Sequence, residues 1–134
     1  MNLVLAPGVL EAIVRHVEAC APNEGCGLIV GKNRVGERLS PMTNVLASSV
    51  AYEMDPAELI RTLRHARESG DELIAIYHSH PQGPPALSKT DIERAYYPQA
   101  AQIIVSLETL NSPVVRAFRI VDGEPFEIEL RAIV

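Results

Sequence analysis

The sequence predicts an α/β fold in which a sheet is flanked by helices, and three of its features support this prediction. Residues 73–77 are apolar on both alternating faces, as in a strand buried within a sheet. Residues 7–21 carry apolar side chains at helical spacing, with charged side chains on the other face. Residues 114–121 and 125–134 flank an Asp122-Gly123 turn and predict a hairpin. Helices and strands therefore alternate along the chain.

Composition and charge are those of one folded domain, which we expect to span residues 1–134. No apolar run approaches the roughly 18 residues of a membrane span, and the first residues lack a basic signal-peptide start, so we expect a cytoplasmic protein without membrane contact. The net charge is −5 and no Lys/Arg cluster is present, which argues against nucleic acid as a partner. Small molecules or proteins remain as the expected partners.

The two cysteines, Cys20 and Cys26, are not in a C-x-x-C pair. They predict neither a disulfide framework nor a thiolate zinc site. We expect two thiols that pack as small hydrophobic residues in a reducing compartment.

The first helix is followed by a predicted hairpin. Ala21-Pro22 breaks the helix, and residues 24–31 are typical of a short apolar strand with glycines at both ends. Residues 34–40 predict its return strand, and residues 41–45 a further extended piece. His16 lies on the polar face of the first helix, so we expect it to be solvated.

A second helix is predicted after a β-prone segment, residues 47–52. Asp55 is a suitable N-cap and Pro56 suits the first helical position. Gly70 ends this helix, and His65 is expected on its exposed face.

The C-terminal part contains a third predicted helix and three predicted strands. The helix is expected from residue 88 to about residue 97, with Pro98 closing it. Residues 101–107 form a strongly apolar strand before the hairpin. The second arm of the hairpin alternates apolar and charged residues, which fits a sheet with one wet face.

Two histidines follow the central apolar strand directly. Side chains alternate along a strand, so His78 and His80 point the same way while Ser79 faces the opposite side. Pro81 then ends the strand. The two imidazoles can therefore converge on one ion.

A carboxylate downstream completes a possible metal site. Alone, His-x-His is often a pair of surface groups, and Ser88 with Asp91 is explained by a helix capping box. Together, His78, His80 and Asp91 offer three N/O ligands, the number that catalytic zinc takes while leaving a fourth position for water. No His-Glu-x-x-His motif occurs, and no Asp-His follows His80 as in metallo-β-lactamase-like sites. The pattern favours a metal site over the structural explanations.

This stretch resembles the JAMM (MPN+) zinc metallopeptidase signature, which is His-x-His-Pro, six residues, then Ser-x-x-Asp. His78, His80, Pro81, Ser88 and Asp91 match it in spacing.

The family also carries a glutamate beside a Gly-rich strand, and Glu24 resembles it. Residues 41–44, 52–56 and 119–123 are similar to short stand-alone bacterial members. Among these members is the hydrolase that removes cysteine from a ubiquitin-like sulfur-carrier protein. The likeness thus covers nearly the whole chain.

The resemblance implies a cytidine-deaminase-like fold, a mixed β-sheet flanked by helices with zinc at one end of the central strands. It implies Zn²⁺ bound by His78, His80 and Asp91, Glu24 as general base and then acid, and Ser88 as a donor to the oxyanion. The implied reaction is that of a deubiquitinase-like metallopeptidase. It would cleave a peptide or isopeptide bond at the Gly-Gly tail of a ubiquitin-like or sulfur-carrier protein.

Other interpretations remain at this stage. Without the family likeness, Glu24 would be a solvated carboxylate after a helix break. Related MPN domains that lack the ligands are non-catalytic scaffolds, against which the intact ligand set weighs. A phage-tail or cell-wall peptidase of the same superfamily usually has an extra domain, for which 134 residues leave no room.

Overall fold

In a computed structural model that describes residues 2–109 and 111–134, seven strands form one mixed sheet with helices packed against it. The elements in chain order are β1 (Asn2–Leu5), α1 (Val9–Cys20), β2 (Cys26–Lys32), β3 (Val35–Met42), α2 (Pro56–Glu68), β4 (Glu72–His80), α3 (Lys89–Glu93), β5 (Ala101–Ser106), β6 (Val114–Val121) and β7 (Glu124–Ala132). The mixed sheet flanked by helices is confirmed. None of the described helices is long and apolar enough to cross a membrane.

The sheet closes on itself in the order β1-β3-β2-β4-β5-β6-β7. Strand β4 lies between β2, to which it is antiparallel, and β5, to which it is parallel. Strand β1 closes the ring because it pairs in parallel with both β3 and β7. Strand β1 was not predicted from the sequence, since four residues are too few to show a periodic pattern.

Two apolar clusters lie on opposite sides of β4. Tyr77 belongs to the cluster that includes Ile13 and Val17 of α1. Ile76 belongs to the other cluster, which Leu59 and Leu63 of α2 cover. Because side chains alternate along a strand, His78 and His80 follow Ile76 onto the α2 side.

Tyr77 is fully buried and lies across Gly27, where an added Cβ would come within 2.2 Å of the tyrosine hydroxyl. The hydroxyl oxygen is hydrogen-bonded to His16 Nδ1 at 2.7 Å. The prediction of a solvated His16 is therefore wrong: the ring is half-buried, and burial lowers its pKa. His65 is exposed, as predicted.

Two features predicted from short sequence motifs are present in the structure: the start of α2 and the hairpin turn between β6 and β7. The Asp55 side chain accepts hydrogen bonds from the backbone N–H groups of Ala57 and Glu58, which makes it the N-cap of α2. Asp122 and Gly123 have φ angles of 51° and 77°, the left-handed turn conformation that a two-residue hairpin requires.

Three segments differ from the predictions. Residues 47–52 form an irregular loop instead of a strand. Residues 41 and 42 continue β3 and do not form a separate piece. Helix α3 has five residues and ends at Glu93, well before Tyr97. The residue before a proline is disfavoured in the helical conformation, so Pro98 sets only an outer limit for the helix, which ends four residues before Tyr97.

Candidate metal and active site

Three side chains meet where β4 ends and α3 begins. His78 is fully buried, and His80 and Asp91 are partly buried. The two histidine Nε2 atoms are 3.2 Å apart, and each lies 3.2 Å from Asp91 Oδ2. The two-residue period of β4 brings the imidazoles together, and the loop after Pro81 returns the carboxylate to them. The structure thus brings together all three ligands predicted from the sequence.

The triangle has the size that a metal ion requires. Zinc binds nitrogen and oxygen ligands at about 2.0–2.2 Å in tetrahedral geometry, so neighbouring ligand atoms lie roughly 3.4 Å apart. The 3.2 Å edges correspond to one face of such a tetrahedron. With both Nε2 atoms deprotonated, the three atoms turn lone pairs towards one point, where a cation would be attracted by the Asp91 charge. His78, His80 and Asp91 could therefore hold a metal ion.

Two ligands are oriented by backbone contacts in the loop. His80 Nδ1–H donates to the Pro84 carbonyl at 2.8 Å, which leaves Nε2 as the ring nitrogen that could bind a metal ion. Asp91 Oδ2 accepts the Ser88 N–H at 2.8 Å, while Ser88 Oγ accepts the Asp91 N–H at 3.0 Å. The capping box and the metal site therefore use the same carboxylate and do not exclude each other.

His78 is held differently. Its ring stacks on Tyr52, with ring centroids 4.5 Å apart and planes 28° from parallel. Within residues 2–109 and 111–134, its buried Nδ1 atom has no hydrogen-bond partner. Sequence reasoning missed Tyr52 as a site residue because no local pattern relates it to a histidine 26 positions further on.

The surroundings favour the metal-binding forms of His78 and Asp91 and, without a metal ion, the protonated form of His80. Burial lowers the pKa of His78 and so favours neutral imidazole. Burial alone would raise the pKa of Asp91, but hydrogen bonds and charge from His78 and His80 hold it well below its usual range. Burial likewise opposes protonation of His80, yet the contacts with Asp91 and the Pro84 carbonyl raise its pKa overall. The carboxylate is therefore ionised at neutral pH.

Glu24 lies just before β2 and is only 5% exposed. Its backbone is held on both sides: its N–H donates to the Ser48 carbonyl at 2.8 Å, and its carbonyl accepts from the Asn44 side chain at 3.1 Å. Burial raises the pKa of its carboxyl to about 7, with a lowering effect from His80 and a raising effect from Asp91. A carboxyl with this pKa can both accept and release a proton near neutral pH.

One cleft of about 850 Å³ joins these groups. Glu24, His80, Ser88 and Asp91 line it together. The remaining wall is largely apolar and aromatic, from Val50, Tyr52, Met54, Leu59, Ile76, Tyr96 and Tyr97. Such a cleft, with a few convergent polar groups, suits an extended peptide or small molecule beside the triangle.

The fold and site together define the class of the protein, a JAMM/MPN-type α/β domain with three side chains that could hold a metal ion near the end of its central strand. Residues 6–121 match the Prok-JAB family, described as prokaryotic homologs of the JAB domain. The chain belongs to this family, which confirms the resemblance found in the sequence.

Similar proteins come from several bacteria. The chain is 36% identical over 124 residues to the CysO-cysteine peptidase of Mycobacterium tuberculosis, which covers 90% of this chain and 84% of that protein. It is 37% identical over 123 residues to a probable TtuB-protein conjugate cleaving protease of Thermus thermophilus, covering 91% and 78% of the two chains. A Desulfitobacterium hafniense protein of known solution structure aligns with a TM-score of 0.84 at 28% identity, covering 99% of this chain and 93% of that chain.

The raised pKa of Glu24 predicts how the metal-free protein responds to pH. The folded state binds this proton more tightly than the unfolded state, so stability falls as the pH rises from the ordinary value of 4.5 towards about 7. Glu24→Gln should remove this loss. Denaturant unfolding of both proteins in chelator, from pH 4.5 to 8, should show a stability difference that grows with pH in favour of the variant. A difference independent of pH would contradict the pKa assignment.

Proposed function

We propose that this protein is a zinc-dependent hydrolase that cleaves the peptide or isopeptide bond at the C-terminal Gly-Gly tail of a ubiquitin-like or sulfur-carrier protein. The observation that carries the proposal is the 3.2 Å triangle of donor atoms in one cleft with the buried Glu24 carboxyl. The names of the two relatives, one a peptidase for CysO-cysteine and one a protease for a TtuB-protein conjugate, support this kind of substrate.

His78, His80 and Asp91 would hold the zinc ion. When bound, zinc supplies a Lewis acid and makes hydroxide available at neutral pH. An intact ligand set of this geometry also counts against a non-catalytic scaffold, which would have no need of it.

Glu24 and Ser88 then have separate roles. Glu24 accepts a proton from the attacking water and passes it to the leaving amine, for which a pKa of about 7 is well matched. Ser88 Oγ accepts the Asp91 N–H, which leaves its own proton available for the oxyanion that forms at the substrate carbonyl.

The cleft favours an extended tail as the bound segment. Residues 49–52 of the exposed loop form one wall, and Gly83 and Pro84 contribute another. A tail lying along this loop by backbone pairing would need glycines, because the wall at Pro84 leaves little space for side chains. Between Asp91 and β5 the chain holds only short α3 and a brief loop, so no insertion is available to grip the body of ubiquitin.

The unit of function is proposed to be a single domain of residues 1–134. The cytoplasm is proposed as its compartment, because free thiols at Cys20 and Cys26 are typical of a reducing environment.

Zinc binding is the first test. The purified protein should bind one zinc ion per chain, and His78→Ala or Asp91→Ala should abolish binding because each removes a ligand. His65→Ala is the control, since that histidine is exposed on α2. Elemental analysis after refolding with excess zinc gives the number of zinc ions per chain. A wild-type chain that retains no zinc would contradict the proposed site.

Glu24→Gln should keep the zinc and lose nearly all hydrolysis, because only the proton shuttle is removed. Glu53→Gln is the matched control, since this exposed carboxylate lines the same cleft.

Ser88→Ala should lower the catalytic rate by about a hundredfold with zinc retained, the usual effect of losing one oxyanion donor. Turnover and zinc content are measured on the same samples. Near-normal turnover of Glu24→Gln would reassign the base.

The substrate is tested by competition. The enzyme should prefer a sulfur-carrier-like protein extended past its Gly-Gly end by cysteine or another residue, over linked ubiquitin chains, because it can hold mainly the tail. Mass spectrometry of a mixture of both substrates reports cleavage of each. Rapid cleavage of linked ubiquitin with an intact extended carrier would refute the substrate assignment and leave the zinc chemistry standing.

A further inference from the structure

Ser106 is the last residue of β5 and is 2% exposed. Strands β4 and β5 are parallel, and their register pairs Ser106 with His80, so Ser106 lies beside a proposed metal ligand on the neighbouring strand. Its hydroxyl donates to the Gly83 carbonyl at 2.6 Å. It also accepts the Glu108 N–H at 3.4 Å. Ser106 therefore contacts the loop after β4 instead of the open cleft.

The Gly83 carbonyl belongs to the segment that orients His80. The next carbonyl along the chain, that of Pro84, accepts the His80 Nδ1–H at 2.8 Å. Gly83 also packs directly on this histidine, since an added Cβ would lie 3.2 Å from His80 Cβ. Two consecutive carbonyls are thus bound, one by Ser106 and one by His80.

This part of the loop has few backbone donors, because Pro84 and Pro85 have no N–H groups. The Ala86 N–H donates to the Pro84 carbonyl at 2.9 Å, but this bond lies within the loop and does not connect it to the sheet. Residues 81–88 contain no helix or strand. The hydrogen bond from Ser106 therefore connects the loop to the sheet at Gly83, the residue before Pro84.

We propose that Ser106 is a positioning residue for His80. It fixes the Gly83 and Pro84 carbonyls, and through them the tautomer and ring orientation with which His80 Nε2 faces the triangle. The inference rests on the proposed function, because it assumes that His80 binds zinc. Outer contacts of this kind typically alter metal affinity by about 10–100-fold when removed.

Ser106→Ala removes the hydroxyl, and Ser106→Cys replaces it with a much weaker donor of similar size. Both variants should bind zinc about tenfold to a hundredfold more weakly than wild type, measured by competition with a chromophoric chelator. The absorption spectrum of the cobalt-substituted protein should change as well, because it reports ligand geometry directly. Ser106→Thr, which keeps the donor, should restore both properties.

Val105→Ala is the matched control. Val105 is a fully buried neighbour on β5 and belongs to the cluster on the α1 side. Its truncation should lower stability without changing zinc affinity or the cobalt spectrum, whereas a merely structural role for Ser106 would give that same result in Ser106→Ala and Ser106→Cys.

The outcomes separate the two proposals. Wild-type zinc affinity and an unchanged cobalt spectrum in Ser106→Cys would overturn the positioning role alone. A wild-type protein that binds no zinc would overturn the positioning role and the proposed function together.

Discussion

The register of β4 is the constraint on which the site depends. Paired on both sides by β2 and β5, this strand cannot slip by one residue without moving every side chain to the opposite face. Burial of Tyr77 across Gly27 fixes this side chain on the face towards α1. His78 and His80 then share a face by necessity, and the parallel partner β5 places Ser106 beside them.

Two carboxyl groups in one cleft have opposite pKa shifts, and this difference separates their chemistry. The imidazoles hold the pKa of Asp91 down, so this group remains an anion suited to binding a cation. Burial raises the pKa of Glu24 to about 7, so that group can exchange a proton. Environments that separate the pKa values of neighbouring acids commonly divide structural and proton-transfer roles between them.

The parts predicted from the sequence were those governed by local rules. The two-residue period of a strand predicted that His78 and His80 share a face, and the capping box predicted that Asp91 lies in the first turn of a helix. Tyr52 and the Pro84 carbonyl were missed, since one is a distant tertiary contact and the other a backbone atom that any residue type would supply. The prediction of a solvated His16 was wrong because a hydrogen bond to Tyr77 draws the ring inward. The third helix was predicted too long because Pro98 shows where a helix must stop and not where it does stop.

Strand β1 has a consequence beyond its four residues. It covers the outer edge of β7 over four positions and that of β3 over two. Uncovered, these edges would present unpaired N–H and C=O groups to any extended chain nearby, a common origin of aggregation and strand exchange. Changes to residues 2–5 would therefore affect solubility and self-association before they affect the distant triangle of His78, His80 and Asp91.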